Sequence, residues 1–435
     1  MRSRRRTSYR HRKHGYLSYR ERVRRKRRIA VTVAFAVLLP AVVFCGLWIG
    51  LRLSRNSEET WGETSDMEHQ PMGEGTEGEN LPGEGVLQEP GNDVIESAIP
   101  SRVRPQIQVK GIYVTGRMAG SAGLQNLLEL VDNTELNTMV IDVKDDEGRI
   151  TYEMNLDSVR QMGAGTRYIA DMEGLMEELK DHDIYTIARV VCFKDPFLAQ
   201  NRPELALKTP AGVPVTDANG LAWVNPYREE VWEYLVEVAK EAAAVGFDEI
   251  QFDYVRFPIG SVADAADYGV DTQSYTRQQA ITGFLTYAWS ELSEVGVPVA
   301  ADVFGTIIGS DTDKRVTGQD YAGLGKVIDV LCPMVYPSHY GNNVFGLDVP
   351  DAHPYETVLA ALTGSAEELA AVPEEDRALV RPWLQAFTAT WVDGHISYDG
   401  PQIRQQIQAV YDAGYEEWIL WNATNRYSED GLEPD

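Results

Sequence analysis

Eight short strand-like runs rich in apolar residues are spread between Gly111 and Asn422, and one of them, 249–255, alternates apolar and polar residues with a period of two. Between those runs the apolar positions recur with a period near 3.6. The first pattern is that of a strand with opposed faces, the second that of an amphipathic helix. The predicted strands cover 111–115, 138–143, 184–193, 249–255, 299–304, 327–335, 380–387 and 417–422. The predicted helices cover 124–132, 170–180, 229–244 and 277–293, a short turn near Tyr321, 357–362 and 402–413. Eight strands separated by seven helices in one chain predict an α/β fold, a (β/α)8 TIM barrel over residues 109–435. A doubly wound open sheet is the runner-up. It fits less well because Gly116-Arg117-Met118-Ala119-Gly120, after the first strand, lacks the spacing of a phosphate-binding glycine loop.

Upstream the pattern changes. Residues 29–51, IAVTVAFAVLLPAVVFCGLWIGL, hold 23 positions without a charge. At 1.5 Å per residue that length crosses a hydrocarbon core of about 30 Å, which predicts a single transmembrane helix. It is too long for the apolar part of a cleaved signal. Residues 1–28 carry twelve Arg and two Lys against Glu21 alone, so the positive-inside rule places this tail in the cytoplasm and the remainder outside the cell membrane. Residues 52–108 are rich in Gly, Glu and Pro and poor in β-branched and aromatic side chains. Such a segment buries too little apolar surface to offset its ordering entropy and is expected to be a disordered acidic linker.

The formal charge of −26 conceals a division: without the +13 of residues 1–28 the rest carries −39. A surface of that sign argues against nucleic acid, and against anionic glycopolymers, as partners. Of the three cysteines, Cys45 falls in the apolar span, and Cys192 and Cys332 fall in strand-like runs where they read as small core residues.

Candidate chemistry gathers at the C-terminal ends of the predicted strands, where barrel enzymes place their sites. The run 246–258, GFDEIQFDYVRFP, sets Ile250 and Phe252 on one face and Glu249, Gln251 and Asp253 on the other, then adds Tyr254 and Arg256. The second strand ends in Asp142 and Lys144, the third carries Arg189, the fifth Asp302 and the sixth Tyr336. The seventh carries Gln385, and the eighth ends in Trp421 and Asn422. Paired carboxyls among stacking aromatics and hydroxyl-binding side chains suit a cleft for sugars, where one carboxyl acts as acid and the other as nucleophile or base. Asp142 beside Lys144 reads equally well as a buried pair, and Trp383, Trp418 and Trp421 as core. His182, His339, His353 and His395 form no HxH or HxxxH pair, so neither metal nor any other cofactor is expected. No GxSxG elbow is present.

Taken together, VKGIYVTG, MVIDVKDDEG, GFDEIQFDYVRFP, ADVFG, PMVYPSHY and RPWLQAF resemble the glycoside-hydrolase-like domain family DUF4015 over nearly all of residues 109–430. The resemblance implies a glycosidase-type TIM barrel of the kind borne by membrane-anchored or secreted bacterial proteins. It also implies that Asp253 is nucleophile or base and Asp302 the proton donor, a place more often held by Glu.

The expectation is a membrane-anchored, extracytoplasmic glycoside hydrolase that cleaves a polysaccharide or oligosaccharide. Asp253 and Asp302 would be its catalytic pair, and Asp142, Lys144, Arg189, Tyr254, Arg256, Tyr336, Gln385, Trp421 and Asn422 its substrate-binding residues. A catalytically silent glycan-binding barrel and a metal-dependent esterase or deacetylase are the alternatives.

Overall fold

The computed structural model describes residues 102–105, 107–217 and 219–434. The predicted tail, span and most of the predicted linker lie outside them. Among the described residues no helix is long and apolar enough to cross a membrane.

Eight parallel staves form the sheet: β1 (Lys110–Val114), β2 (Thr138–Lys144), β3 (Tyr185–Val191), β4 (Glu249–Asp253), β5 (Val299–Phe304), β6 (Val330–Met334), β7 and β8 (Trp418–Trp421). The seventh, β7, is two short pieces, Leu379–Val380 and Trp383–Gln385. Pro382 between them has no N–H to give to the ladder, which explains the break. Each stave pairs with the next, and β8 returns to β1 with Lys110 opposite Trp418 and Ile112 opposite Leu420, so the barrel is closed.

The crossover helices are α1 (Leu124–Asp132), α2 (Met172–Asp181), α3 (Glu229–Ala244), α4 (Arg277–Ser293), α5 (Tyr321–Leu324), α6 (Pro354–Leu369) and α7 (Gly400–Asp412). Their starts follow local chemistry. At α4, Thr276 accepts from the Gln279 backbone N–H at 3.2 Å while the Gln279 side chain accepts from the Thr276 N–H at 2.8 Å. That reciprocal box satisfies two orphan donors of the first turn.

Period-two alternation divides the core into two layers. Ile141, Val190, Phe252, Val303 and Leu420 face outward against the helices in the larger apolar layer. Val140, Ile187, Ala300, Cys332 and Ile419 face inward and plug the middle of the barrel. Cys192 and Cys332 are both free and buried, as small core side chains. At about 1.5–3 kcal/mol for each fully buried aliphatic or phenyl group, the outer layer supplies most of the stabilisation. The narrower interior is left able to carry charge at both ends.

At the N-terminal end of the staves that charge is structural. The Arg381 guanidinium donates to both oxygens of Glu249, at 2.6 and 3.3 Å, and to Glu417 at 2.7 Å. Arg381 and Glu249 are both fully buried. This closed end also receives the incoming chain. Arg102 donates to the carbonyls of Gly325, Lys326, Ile328 and Asp376, Arg104 to that of Arg377, and the Val103 N–H to Asp329. The last residues of the predicted linker are therefore strapped to the barrel rather than loose.

Candidate active site

A cavity of about 370 Å³ opens at the C-terminal end of the staves. Asp253 closes β4 and Asp302 lies near the end of the adjacent β5, one register step beyond the paired Phe252 and Ala301. Equivalent positions on neighbouring parallel strands face the same way, so both carboxyls enter the barrel mouth. Both are lining residues, as are Arg189, Tyr254, Arg256, Tyr336 and Trp421.

The two carboxyls sit in contrasting surroundings. Asp253 Oδ2 accepts from Arg189 Nε at 2.9 Å and Nη2 at 2.5 Å, and Oδ1 accepts from the Tyr254 backbone N–H at 2.5 Å. Among the described residues no Lys or Arg lies within 4 Å of Asp302, although the Arg189 charge is near enough to act on it. Its Oδ1 accepts from Gln251 Nε2 and from the Trp383 indole N–H, the latter at 2.6 Å. Its Oδ2 has no hydrogen-bond partner among the described residues and is not sealed from the cavity. Burial, and then the charge of Asp253, hold the Asp302 carboxyl well above the usual carboxylate range. Two neighbouring carboxyls whose environments differ in this way are fitted for opposite proton roles.

Arg189 organises the mouth. Besides Asp253 it holds Asp142 at 2.7 Å and Asp146 at 3.0 Å, and it lies 5.4 Å from the ring centres of both Tyr113 and Trp421. The Tyr113 hydroxyl donates to Asp142 at 2.6 Å, and its ring stacks on Trp421 at 4.0 Å. Burial raises Asp142 to about 6 even with Arg189 beside it. Asp146 is also desolvated, but Arg189 and Lys194 more than offset this and hold it below its ordinary value.

Tyr254 adopts φ 50, a left-handed backbone unusual for an aromatic residue. That turn directly follows Asp253 and swings the phenol to 3.3 Å from Lys194 Nζ. Strain of this kind is retained where neighbouring structure fixes it, commonly at sites of function. Gly305, at the cavity floor, answers a steric demand: a Cβ there would stand 2.5 Å from both the Met334 carbonyl and the Tyr340 hydroxyl.

Four sequence-predicted residues are not brought to the cavity lining. Lys144 is fully buried, donating to the Val191 carbonyl at 2.6 Å and pairing with Asp195 at 2.8 Å. A register shift between Asp142 and Lys144 turns it to the outer face, which also separates it from Asp142. Asp142 stands behind Arg189. Gln385 is fully buried and orders loops, accepting from the Ser338 N–H at 3.0 Å and donating to Asp351 at 2.9 Å. Asn422 donates to the Ala386 carbonyl at 2.6 Å. Of the tryptophans weighed as core, Trp418 is core, Trp421 lines the cavity, and Trp383 is 1% exposed yet forms part of its wall. Phe304, Thr306, Met334 and His339 also line the cavity; Phe304 and Met334 end their strands, while Thr306 and His339 lie in the turns that follow.

Solved structures of other proteins are similar to this chain. A hypothetical protein from Ruminiclostridium thermocellum ATCC 27405 is 40% identical with a TM-score of 0.41, over 44% of this chain and 97% of its own. The glycoside hydrolase domain of PgaB (BpsB) from Bordetella bronchiseptica is 13% identical with a TM-score of 0.55, over 73% of this chain and 94% of its own, a likeness of fold. The spore cortex-lytic enzyme SleL of Bacillus megaterium QM B1551 is 11% identical with a TM-score of 0.45, over 74% and 72%. A search of curated proteins gives no match. Residues 111–427 match the family model described as "Putative glycosyl hydrolase domain". That match spans the barrel from β1 to beyond β8, and the chain belongs to the DUF4015 family of glycosyl hydrolase domains.

Proposed function

We propose that the protein is a metal-independent glycoside hydrolase acting on a polysaccharide, with Asp302 as the proton donor and Asp253 as nucleophile or general base. The observation that carries this reading is the contrast between the two carboxyls. Asp302 is desolvated, unpaired with any cation and presents a free Oδ2 to the cavity, whereas Asp253 rests against a guanidinium. In the reaction the Asp302 carboxyl passes its proton to the glycosidic oxygen as the C–O bond breaks. Asp253 opposes the positive charge developing at the anomeric carbon, by attacking it or by taking a proton from water. Trp421, Tyr336 and Trp383 offer ring faces and edges to the sugar, and Arg189 holds Asp253 in place. We further propose that residues 29–51 anchor the enzyme in the cell membrane with the barrel outside. The charge asymmetry of residues 1–28 supports that orientation.

The test is turnover by the full-length protein on a panel of wall and exopolysaccharide fractions, with and without chelator. Asp302→Asn should lower kcat by roughly 10²–10⁴-fold, the usual worth of a positioned acid. Asp253→Asn should abolish turnover while the fold survives, because Arg189 keeps Asp142 and Asp146. Chelation should change nothing. Binding without product release from any fraction would instead identify a silent glycan-binding barrel. Cleavage that persists in Asp253→Asn refutes the assignment. Protease accessibility of the barrel on intact cells tests the orientation.

A further inference from the structure

Arg256 is the unmatched charge of the cavity. Five Lys or Arg side chains are buried among the described residues: Lys144, Arg189, Lys194, Arg256 and Arg381. Four of them lie within 4 Å of a carboxylate: Arg189 against three, Arg381 against two, Lys194 against Asp146 and Asp217, and Lys144 against Asp195. Arg256 forms no such pair among the described residues. Its one hydrogen bond there runs from Nη1 to the Phe257 carbonyl at 2.9 Å.

Aromatic rings surround it. The guanidinium carbon lies 4.4 Å from the centre of Phe304, 4.9 Å from Trp223 and 5.3 Å from Tyr254. The residue is 8% exposed and lines the cavity, and its remaining N–H groups are not sealed off from it. Burial lowers its pKa only to about 10, so it stays cationic at neutral pH. Desolvating a cation without a partner is costly, and the rings recover only part of that cost. A planar fork of donors facing a sugar-sized cavity fits a planar oxyanion.

We infer that the sugar bound beside Asp253 and Asp302 carries a carboxylate, which Arg256 grips through its free N–H groups. The inference rests on the hydrolase reading for the location of the sugar. A monoanion is favoured over a phosphate monoester, which carries nearly two negative charges at neutral pH, because the Asp253 carboxylate occupies the same cavity. The strongly acidic surface does not forbid it: exposed charges beyond about 8 Å are screened at physiological ionic strength, while a desolvated contact is not.

The test measures binding by calorimetry to full-length Asp302→Asn protein. The probes are oligomers of glucuronic and galacturonic acid, the same oligomers with their carboxyls reduced to alcohols, and glucose 6-phosphate. At least one acid oligomer should bind roughly 10- to 100-fold more tightly than its reduced form, the worth of a charge-assisted hydrogen bond. Adding Arg256→Gln should erase that preference, bringing the affinity for the acid oligomer down to that for its reduced form. Adding Arg256→Lys should keep a smaller one, and serves if the glutamine variant fails to fold. No preference for an acid oligomer up to millimolar concentration, or tighter binding of the phosphate, overturns the inference. If neutral glycans are cleaved without any such preference, the hydrolase reading stands and this inference falls. If the Arg256-dependent preference appears and unsubstituted enzyme cleaves nothing, the inference stands and the hydrolase reading falls.

Discussion

Replacing Arg189 by Met tests whether the mouth of the barrel is held together as a charge cluster. The guanidinium is 1% exposed and touches Asp142, Asp146 and Asp253. Methionine fills similar volume but leaves three carboxyls without their common cation. Removing one partner of a buried ion pair costs about 3–5 kcal/mol, because the charge left behind is uncompensated. The loss at pH 7 should fall in that range, and not at four times the value of a charged hydrogen bond, since the contacts share one donor group and do not add. The pH dependence gives the reasoning a sign. Asp142 already titrates at about 6 in the folded protein, above its unfolded value near 3.9. A raised carboxyl contributes stability that is full below the unfolded pKa and lost as pH rises through the folded one. Without Arg189, Asp142 and Asp146 should both move up. The variant should therefore regain stability between pH 7 and pH 5, at up to about 1.4 kcal/mol per pH unit for each carboxyl that takes up a proton. Urea midpoints for both proteins at pH 5, 6 and 7 measure this. A gap under about 1 kcal/mol at pH 7, or one that does not narrow toward pH 5, refutes the cluster as described.

Gln251→Leu removes a donor to the Asp302 carboxylate, which favours the acid form further. An acid works below its pKa, so the alkaline limb of kcat/KM should move up by about 1–2 pH units, and an unmoved limb would separate Asp302 from that limb. Arg381→Met, at the closed end, should also cost about 3–5 kcal/mol by stranding Glu249 and Glu417, yet leave kcat of the folded fraction unchanged. A fall in kcat there would mean the two ends are coupled. Trp391 is 65% exposed and stacks on Phe387 at 5.9 Å, whose edge meets Tyr336 in the cavity wall. Trp391→Ala should raise KM for long glycans by roughly threefold to tenfold and leave short ones alone; equal effects on both would remove it from the path of the chain.

The staves were legible because a buried strand enforces parity. All eight strand-like runs are strands of the barrel, and the carboxyls of β4 and β5 stand at or near the C-terminal ends of those strands. Parity fails where the backbone breaks it. Lys144 has the inward parity of Val140 and Asp142, and one register shift turns it outward to Asp195. Contacts made by closure were not legible either. Arg381 meets Glu249 across 132 residues, and the Trp383 indole meets Asp302 across 81. A single sequence holds no local trace of such pairs. Arg256 shows the same limit: the aromatic enclosure around its guanidinium exists only after folding.

The strap of Arg102, Val103 and Arg104 determines where mechanical load enters the domain. These residues grip carbonyls and a carboxylate in the loops before β6 and β7, on the side opposite the mouth. Any tension on the chain that precedes Arg102 is delivered to several backbone acceptors at once before it reaches β1. The β1–β8 seam is thereby relieved of the pull, which enters at the barrel end opposite Asp253 and Asp302.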